Sequence, residues 1–200
     1  MVVLEKCPDY NSENVYIAVK KAVDRLGGIN KFVKHGARVL IKPNLVMKKA
    51  PDEAATTHPS VVEAVARIVT EAGGKAIIAD NPGGIITEKT LKGLYSVCGM
   101  KIAAEKSGAQ LNYDLEEAEL QFPEGNYLKK VIVSRPFADA DVIINVPKLK
   151  THGQMVYTGA VKNMFGAVPG VLKAEYHFRM QEHRAFANAL IDIFLSTKTS

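Results

Sequence analysis

Three short runs constrain this chain most: residues 37–41 (ARVLI), 75–80 (KAIIAD) and 141–146 (DVIINV). Each has strand length and is apolar through its middle instead of alternating with polar residues. A strand that is apolar on both faces must be covered on both faces, which points to a mostly parallel sheet between two helical layers. The intervening segments have the matching period. Val15, Val19, Ala22, Val23 and Leu26 make the stripe of an amphipathic helix over 12–26, ended by Gly27 and Gly28. A second helix is signalled by His58-Pro59-Ser60, with Glu63 at capping-box spacing from Ser60, and stops at Gly73-Gly74.

The rest follows the same rhythm. A short β-branched start at 2–5 reads as a strand. Residues 88–107 predict one or two helices with a break at Cys98-Gly99, and 109–114 and 129–134 predict strands separated by an acidic, irregular stretch. A long final helix is expected over 174–194. The expected fold is a single α/β domain over 1–200, three-layer α/β/α, with a mostly parallel, Rossmann-like or flavodoxin-like open sheet. Residues 196–200 form a polar tail with no further strand to lead into, so the chain reads either as ending in a frayed terminus or as a fragment of a longer protein.

Composition narrows the function classes. At 47% apolar content, 200 residues can bury a core, and 26 Lys+Arg against 21 Asp+Glu leave a net charge of +5. That excess suits anionic small molecules, but the basic residues are scattered and do not form a nucleic-acid footprint. Cys7 and Cys98 are the two cysteines. They lie far apart and make no CxxC pair, so no iron–sulfur cluster or zinc knuckle is expected within this segment. No leader peptide is visible and no apolar run approaches the roughly 18 residues of a membrane span. A cytoplasmic protein is expected, with no membrane among its partners.

In open α/β sheets ligands bind beyond the carboxyl ends of the strands, so the residues that follow each apolar run are the candidates. The first run yields Lys42 and Asn44, the second Asp80 and Asn81, the third Asn145, Lys148, Lys150, Thr151 and His152. Tyr157, Thr158, Lys162 and Asn163 follow at helical spacing, which would put Thr158 and Lys162 on one face. Partly desolvated lysines can hold an anionic oxygen or act as acid or base, and His152 is the best-placed acid/base. His152, Lys148 and Lys150 are therefore the candidate catalytic residues. Lys42, Asn44, Asp80, Asn145, Thr151, Thr158, Lys162 and Asn163 are the candidate binding residues for a small anionic or carbonyl ligand. Each also has a structural reading, as a solvated loop lysine or a capping carboxylate. NPGG (81–84) lacks the GxGxxG and GxxxxGK[ST] patterns and reads as a tight turn; no histidine pair has metal spacing, and there is no GxSxG elbow.

The blocks IKPNLV (41–46), TTHP (56–59), ADNPGG (79–84), INVPKLKTHG (144–153) and YTGAVKNMFGAVPG (157–170) together resemble the uncharacterised family called domain of unknown function 362. The resemblance implies that this chain corresponds to the family's front portion, because members often continue into a DGxxxxEGxGP-type segment and a ferredoxin-like module for two [4Fe–4S] clusters. Neither is found here. An iron–sulfur module or protein is thus an implied partner, and the resident cofactor is left open. The fold implied is distantly similar to the amino-terminal domain of nickel-dependent lactate racemase. No activity carries over, which leaves two functions open: an enzyme acting on a small anionic or carbonyl substrate, with a redox link as part of that expectation, and a non-catalytic module that binds an anion, a nucleotide or an electron-transfer partner.

Overall fold

A computed structural model describes residues 1–153 and 155–197. Its centre is a four-stranded, all-parallel sheet built from β1 (Arg38–Pro43), β2 (Lys75–Ile78), β3 (Gln110–Leu111) and, fourth in the sheet, a strand at Val142–Val146. Between β3 and that strand the chain makes an antiparallel pair, β4 (Glu117–Gln121) with β5 (Lys130–Ser134), so the Val142–Val146 strand is β6. The sheet order is β3-β2-β1-β6. The chain therefore runs outward from β1 to β3 and then returns to the other side of β1. This reversal is a topological switch point, where the connections after neighbouring strands diverge and leave a crevice.

Side-chain alternation splits the core into two layers. Val39 and Ile41 of β1, Ile78 of β2 and Val146 of β6 face α2 (Pro59–Glu71), α3 (Glu88–Val97) and α4 (Met100–Ser107). Leu40, Ala79 and Ile143 point the other way, toward Val131 and Val133 of β5 and Phe137 of α5 (Arg135–Asp139). The same layer holds Met164 and Phe165, which follow α6 (Ala160–Asn163), and Phe186, Leu190 and Ile193 of α8 (His183–Ser196). The remaining helices are α1 (Ser12–Arg25), packed on α2, and α7 (Gly170–Arg179). The expected α/β class and its helix-covered parallel sheet are observed.

Several local expectations differ. Residues 2–5 are not a strand; they lack a neighbouring edge to pair with and lie alongside α1, where Glu5 bridges Lys21 and Arg25. The cap of α2 is His58, whose Nδ1 accepts the Ser60 amide, in place of the Ser60–Glu63 box. The acidic stretch contains β4, because Glu117, Glu119 and Gln121 alternate with the half-buried Ala118 and Leu120. Residues 109–114 contribute only Gln110–Leu111 to the sheet. The long last helix is two helices, broken between Arg179 and His183, with α7 starting earlier than expected at Gly170. Tyr157 and Thr158 are not helical: β7 (Lys150–His152) and β8 (Val156–Thr158) form a hairpin, favoured by β-branched and aromatic residues and tied by the Thr158 hydroxyl, which donates to the carbonyls of Lys148 and Lys150. Of the polar tail, residues 198–200 lie outside the described residues.

Candidate functional site

The site grows from the end of β1. Lys42 is the next-to-last residue of that strand and is 1% exposed. A buried ammonium is tolerable only with partners. Its Nζ donates to Asp80 Oδ1 at 2.6 Å, to the Pro43 carbonyl at 2.8 Å and to Asn163 Oδ1 at 3.2 Å. Asp80, two residues past the end of β2, spends its other oxygen on the Leu45 amide, 2.6 Å away. Burial lowers the Lys42 pKa, and the Asp80 carboxylate opposes that shift. Asp80 thus fastens the segment after β2 to the end of β1 through Lys42 and to the loop after β1 through the Leu45 amide.

Asn163 is the central strut. Its Nδ2 donates to the Lys42 carbonyl at 3.2 Å and to Asn145 Oδ1 at 2.7 Å, and its Oδ1 accepts from Asn44 Nδ2 at 3.1 Å. Asn145 lies beside Lys42 in the β1–β6 register and donates its own amide to the Ala160 carbonyl. Lys150 reaches Asn44 Oδ1 at 2.8 Å and the Ala55 carbonyl at 2.6 Å. Burial lowers its pKa most, Lys148 adds to the fall, and Asp80 opposes it.

Above this layer opens a cavity of about 550 Å³ at the carboxyl ends of the strands. Lys42, Asn44, Asp80, His152, Lys162 and Asn163 line it, so six of the expected site residues converge. The others do not line it. Asn145, Thr158 and Lys150 are braces of the wall, Thr151 is exposed on β7, and Lys148 sits near His58, whose pKa is lowered by burial and then by that ammonium. His152 Nδ1 accepts the Met155 amide at 3.1 Å, so that nitrogen is unprotonated. Burial, followed by Lys162, His177 and Lys150, lowers the His152 pKa and favours the neutral ring.

The opposite wall comes from α7 and the loop before it, which supply Phe165, Gly166, Gly170, Lys173 and His177. Lys173 Nζ donates to the Asn81 carbonyl and, at 3.3 Å, to the Pro82 carbonyl. Burial pushes its pKa down to about 7, with Lys42 and Lys162 adding to the fall against the opposing pull of Asp80. Lys162 packs over the Phe165 ring, 5.7 Å from its centroid, and has no hydrogen-bond or ion-pair partner among the described residues. Its pKa is lowered by burial first and then by Lys150 and Lys42. Two glycines permit the close approach. A Cβ on Gly166 would lie 2.1 Å from Asp80 Oδ1, and one on Gly170 would lie 2.2 Å from the Gly84 carbonyl oxygen.

Sequence reasoning missed Lys173 and His177, although the signal was present. They are four apart, so they share a face once the helix is known to begin at Pro169-Gly170. The helix start had been expected at 174, which left Lys173 outside it. Among the described residues no group of three or more His, Cys, Asp and Glu could hold a metal ion. Cys98 is buried with its thiol directed at the Met47 carbonyl, whereas Cys7 is exposed.

Fold and crevice together define an open parallel α/β domain with a polar, lysine-rich cavity at its switch point. Residues 39–200 match the family described as Domain of unknown function (DUF362), and the chain belongs to that family. It is 35% identical over 199 residues to a thylakoid-associated protein of Synechocystis sp. (strain ATCC 27184 / PCC 6803 / Kazusa), a match that covers 96% of this chain and 58% of that protein. The chain thus spans less than two thirds of the length of that relative. No helix among the described residues is long and apolar enough to cross a membrane.

Proposed function

We propose that this domain binds, and as an enzyme acts on, a small ligand that carries an anionic group beside a carbonyl, in the cavity above the ends of β1, β2 and β6. One observation carries the reading: Lys162 faces the cavity without an acceptor among the described residues, while Asp80, the acidic residue of the lining, is already committed to Lys42 and the Leu45 amide. The cavity therefore holds net positive charge in a partly desolvated setting, where an anion is worth more than in water. His152 and His177, both shifted toward the neutral form, supply proton acceptors on facing walls.

The test is calorimetric titration of inorganic phosphate and of pyruvate into wild type and Lys162→Ala. We expect Lys162→Ala to weaken binding by about tenfold, the value of one charge-assisted contact. Equal affinity in both proteins would overturn the reading. The alternative, a non-catalytic module for an anion, a nucleotide or an electron-transfer partner, draws support from the hydrogen bonds that already occupy Lys150 and Thr158. Binding of phosphate and pyruvate without any turnover would favour it. A redox link would need an iron–sulfur module supplied by a further segment or a separate protein. We further place the chain in the cytoplasm; co-sedimentation with membranes, the behaviour suggested by the relative's thylakoid association, would contradict that placement.

A further inference from the structure

The geometry points to Lys173 as an amine nucleophile that forms an imine with the carbonyl group of a small anionic ligand in this cavity. The inference rests on the anion-site reading above and adds the covalent step and the residue that performs it.

Three lysines line the cavity, and their surroundings divide the work among them. Lys42, at the cavity floor, already donates to Asp80, the Pro43 carbonyl and Asn163 Oδ1, so its Nζ is committed to the protein and is not presented to a ligand. Lys162, which has no acceptor among the described residues, is the cation left for the ligand's anionic group. Lys173 has no carboxylate partner among the described residues. Its Nζ contacts two backbone carbonyls, and a neutral amine can satisfy both with its two N–H groups while its lone pair remains for an electrophile. Lys162 and Lys173 lie 5.7 and 5.9 Å from the Phe165 ring centroid, and all three residues line the same cavity.

The electrostatics agree with this division. Burial and the neighbouring Lys42 and Lys162 bring Lys173 down to about 7, which leaves a large neutral fraction at neutral pH. His177 lies one turn further along the same face of α7, lines the cavity, and is held toward the neutral form by burial and Lys162. It is positioned to move protons during the addition.

The step balances without any co-reactant. The Nζ lone pair attacks the carbonyl carbon, the C–N bond forms, and the carbonyl π electrons move to oxygen, which is protonated. The C–O bond then breaks as C=N forms, and the carbonyl oxygen leaves as one water with the two amine protons. The ligand class is a 2-oxo acid or an aldehyde bearing a carboxylate or phosphate. Its anionic group would face Lys162 and its carbonyl Lys173.

Wild type is incubated at pH 7 with pyruvate and sodium cyanoborohydride, which reduces the imine to a stable secondary amine, and the modified peptide is identified by mass spectrometry. Modification at Lys173 should exceed that at an exposed lysine such as Lys101 by at least about tenfold, since about half of an amine with pKa near 7 is neutral there, against roughly one part in 2,500 of an ordinary lysine. Lys173→Arg should abolish the adduct while retaining phosphate binding by calorimetry. If that variant does not fold, the wild-type peptide map alone decides. Modification spread evenly over exposed lysines, or its absence at Lys173, overturns the imine. Phosphate binding with no Lys173 adduct overturns the imine alone, and a Lys173 adduct with no phosphate binding overturns the anion site alone.

Discussion

Replacing Lys42 with Met removes the ammonium but keeps the length of the side chain, and leaves Asp80 as an unpaired charge that is 5% exposed. Asp80 retains the Leu45 amide, 2.6 Å from Oδ2, but loses its 2.6 Å ion pair, while the Pro43 carbonyl and Asn163 Oδ1 each lose a donor. Breaking one side of a buried pair costs about 3–5 kcal/mol, mostly through the charge left behind. In a domain of this size that corresponds to a fall in Tm of roughly 6–20 °C. Asp80→Asn, which keeps an acceptor for Leu45 but strands Lys42, should cost a similar amount. The double variant Lys42→Met/Asp80→Asn carries no buried charge and should lose less than the two singles together, with a coupling energy of about 2–4 kcal/mol. Urea unfolding followed by far-UV circular dichroism, with an unchanged m-value, measures all three. A Lys42→Met cost below about 1 kcal/mol, or strict additivity within about 0.5 kcal/mol, would refute the claim that this pair holds β1 and β2 together at the site.

Gly166→Ala would place a methyl 2.1 Å from Asp80 Oδ1 and 2.5 Å from Lys42 Nζ, so it should destabilise by about 1–3 kcal/mol and weaken ligand binding at the same time; an unaltered melting temperature would contradict the close approach. Lys173 is charged in the unfolded chain up to its ordinary 10.5 but in the folded chain only up to about 7, so the unfolded state holds the extra proton between those values. Stability should therefore rise with pH across that window, at up to about 1.4 kcal/mol per pH unit, and the rise should be smaller in Lys173→Met; equal slopes would reject the shift. Asp80, Lys42 and Lys162 surround that amine and are present in both proteins, which makes the difference between slopes the quantity to read. Asp192→Ala should cost about 2–4 kcal/mol by thermal melting, because this 1%-exposed carboxylate accepts the amides of Asn126, Tyr127 and Leu128 and pins the loop before β5 to α8.

Local chemistry was enough to locate the strands and most helices. The runs at 37–41, 75–80 and 141–146 are apolar because both their faces are covered, and that requirement is written into each run without reference to the others. Gly27, Gly28 and Gly73 end helices by adopting the left-handed backbone region. The same logic pointed to Lys42, Asp80, Lys162 and Asn163, because each follows or adjoins an element end. The failures were also local in origin. Tyr157 and Thr158 stand at intervals from Lys162 and Asn163 compatible with a helix, and only pairing of β7 with β8 selects the extended form for the first two.

What an individual segment could not encode is who stands beside whom. The order β3-β2-β1-β6 places the ends of β1 and β6 next to each other across about a hundred residues of chain, and only then do Lys42 and Asn145 become neighbours for Asn163 to bridge. Lys150 looked reactive in the sequence and became a brace once Asn44 and the Ala55 carbonyl lay within reach. Lys173 belongs to no motif in the sequence and becomes the amine at the cavity wall because α7 begins against the Gly84 turn and carries it into the field of Lys42 and Lys162. Periodicity and backbone preference are properties of consecutive residues; burial, pairing and pKa are properties of neighbours in space, and for this protein the site is made of the latter.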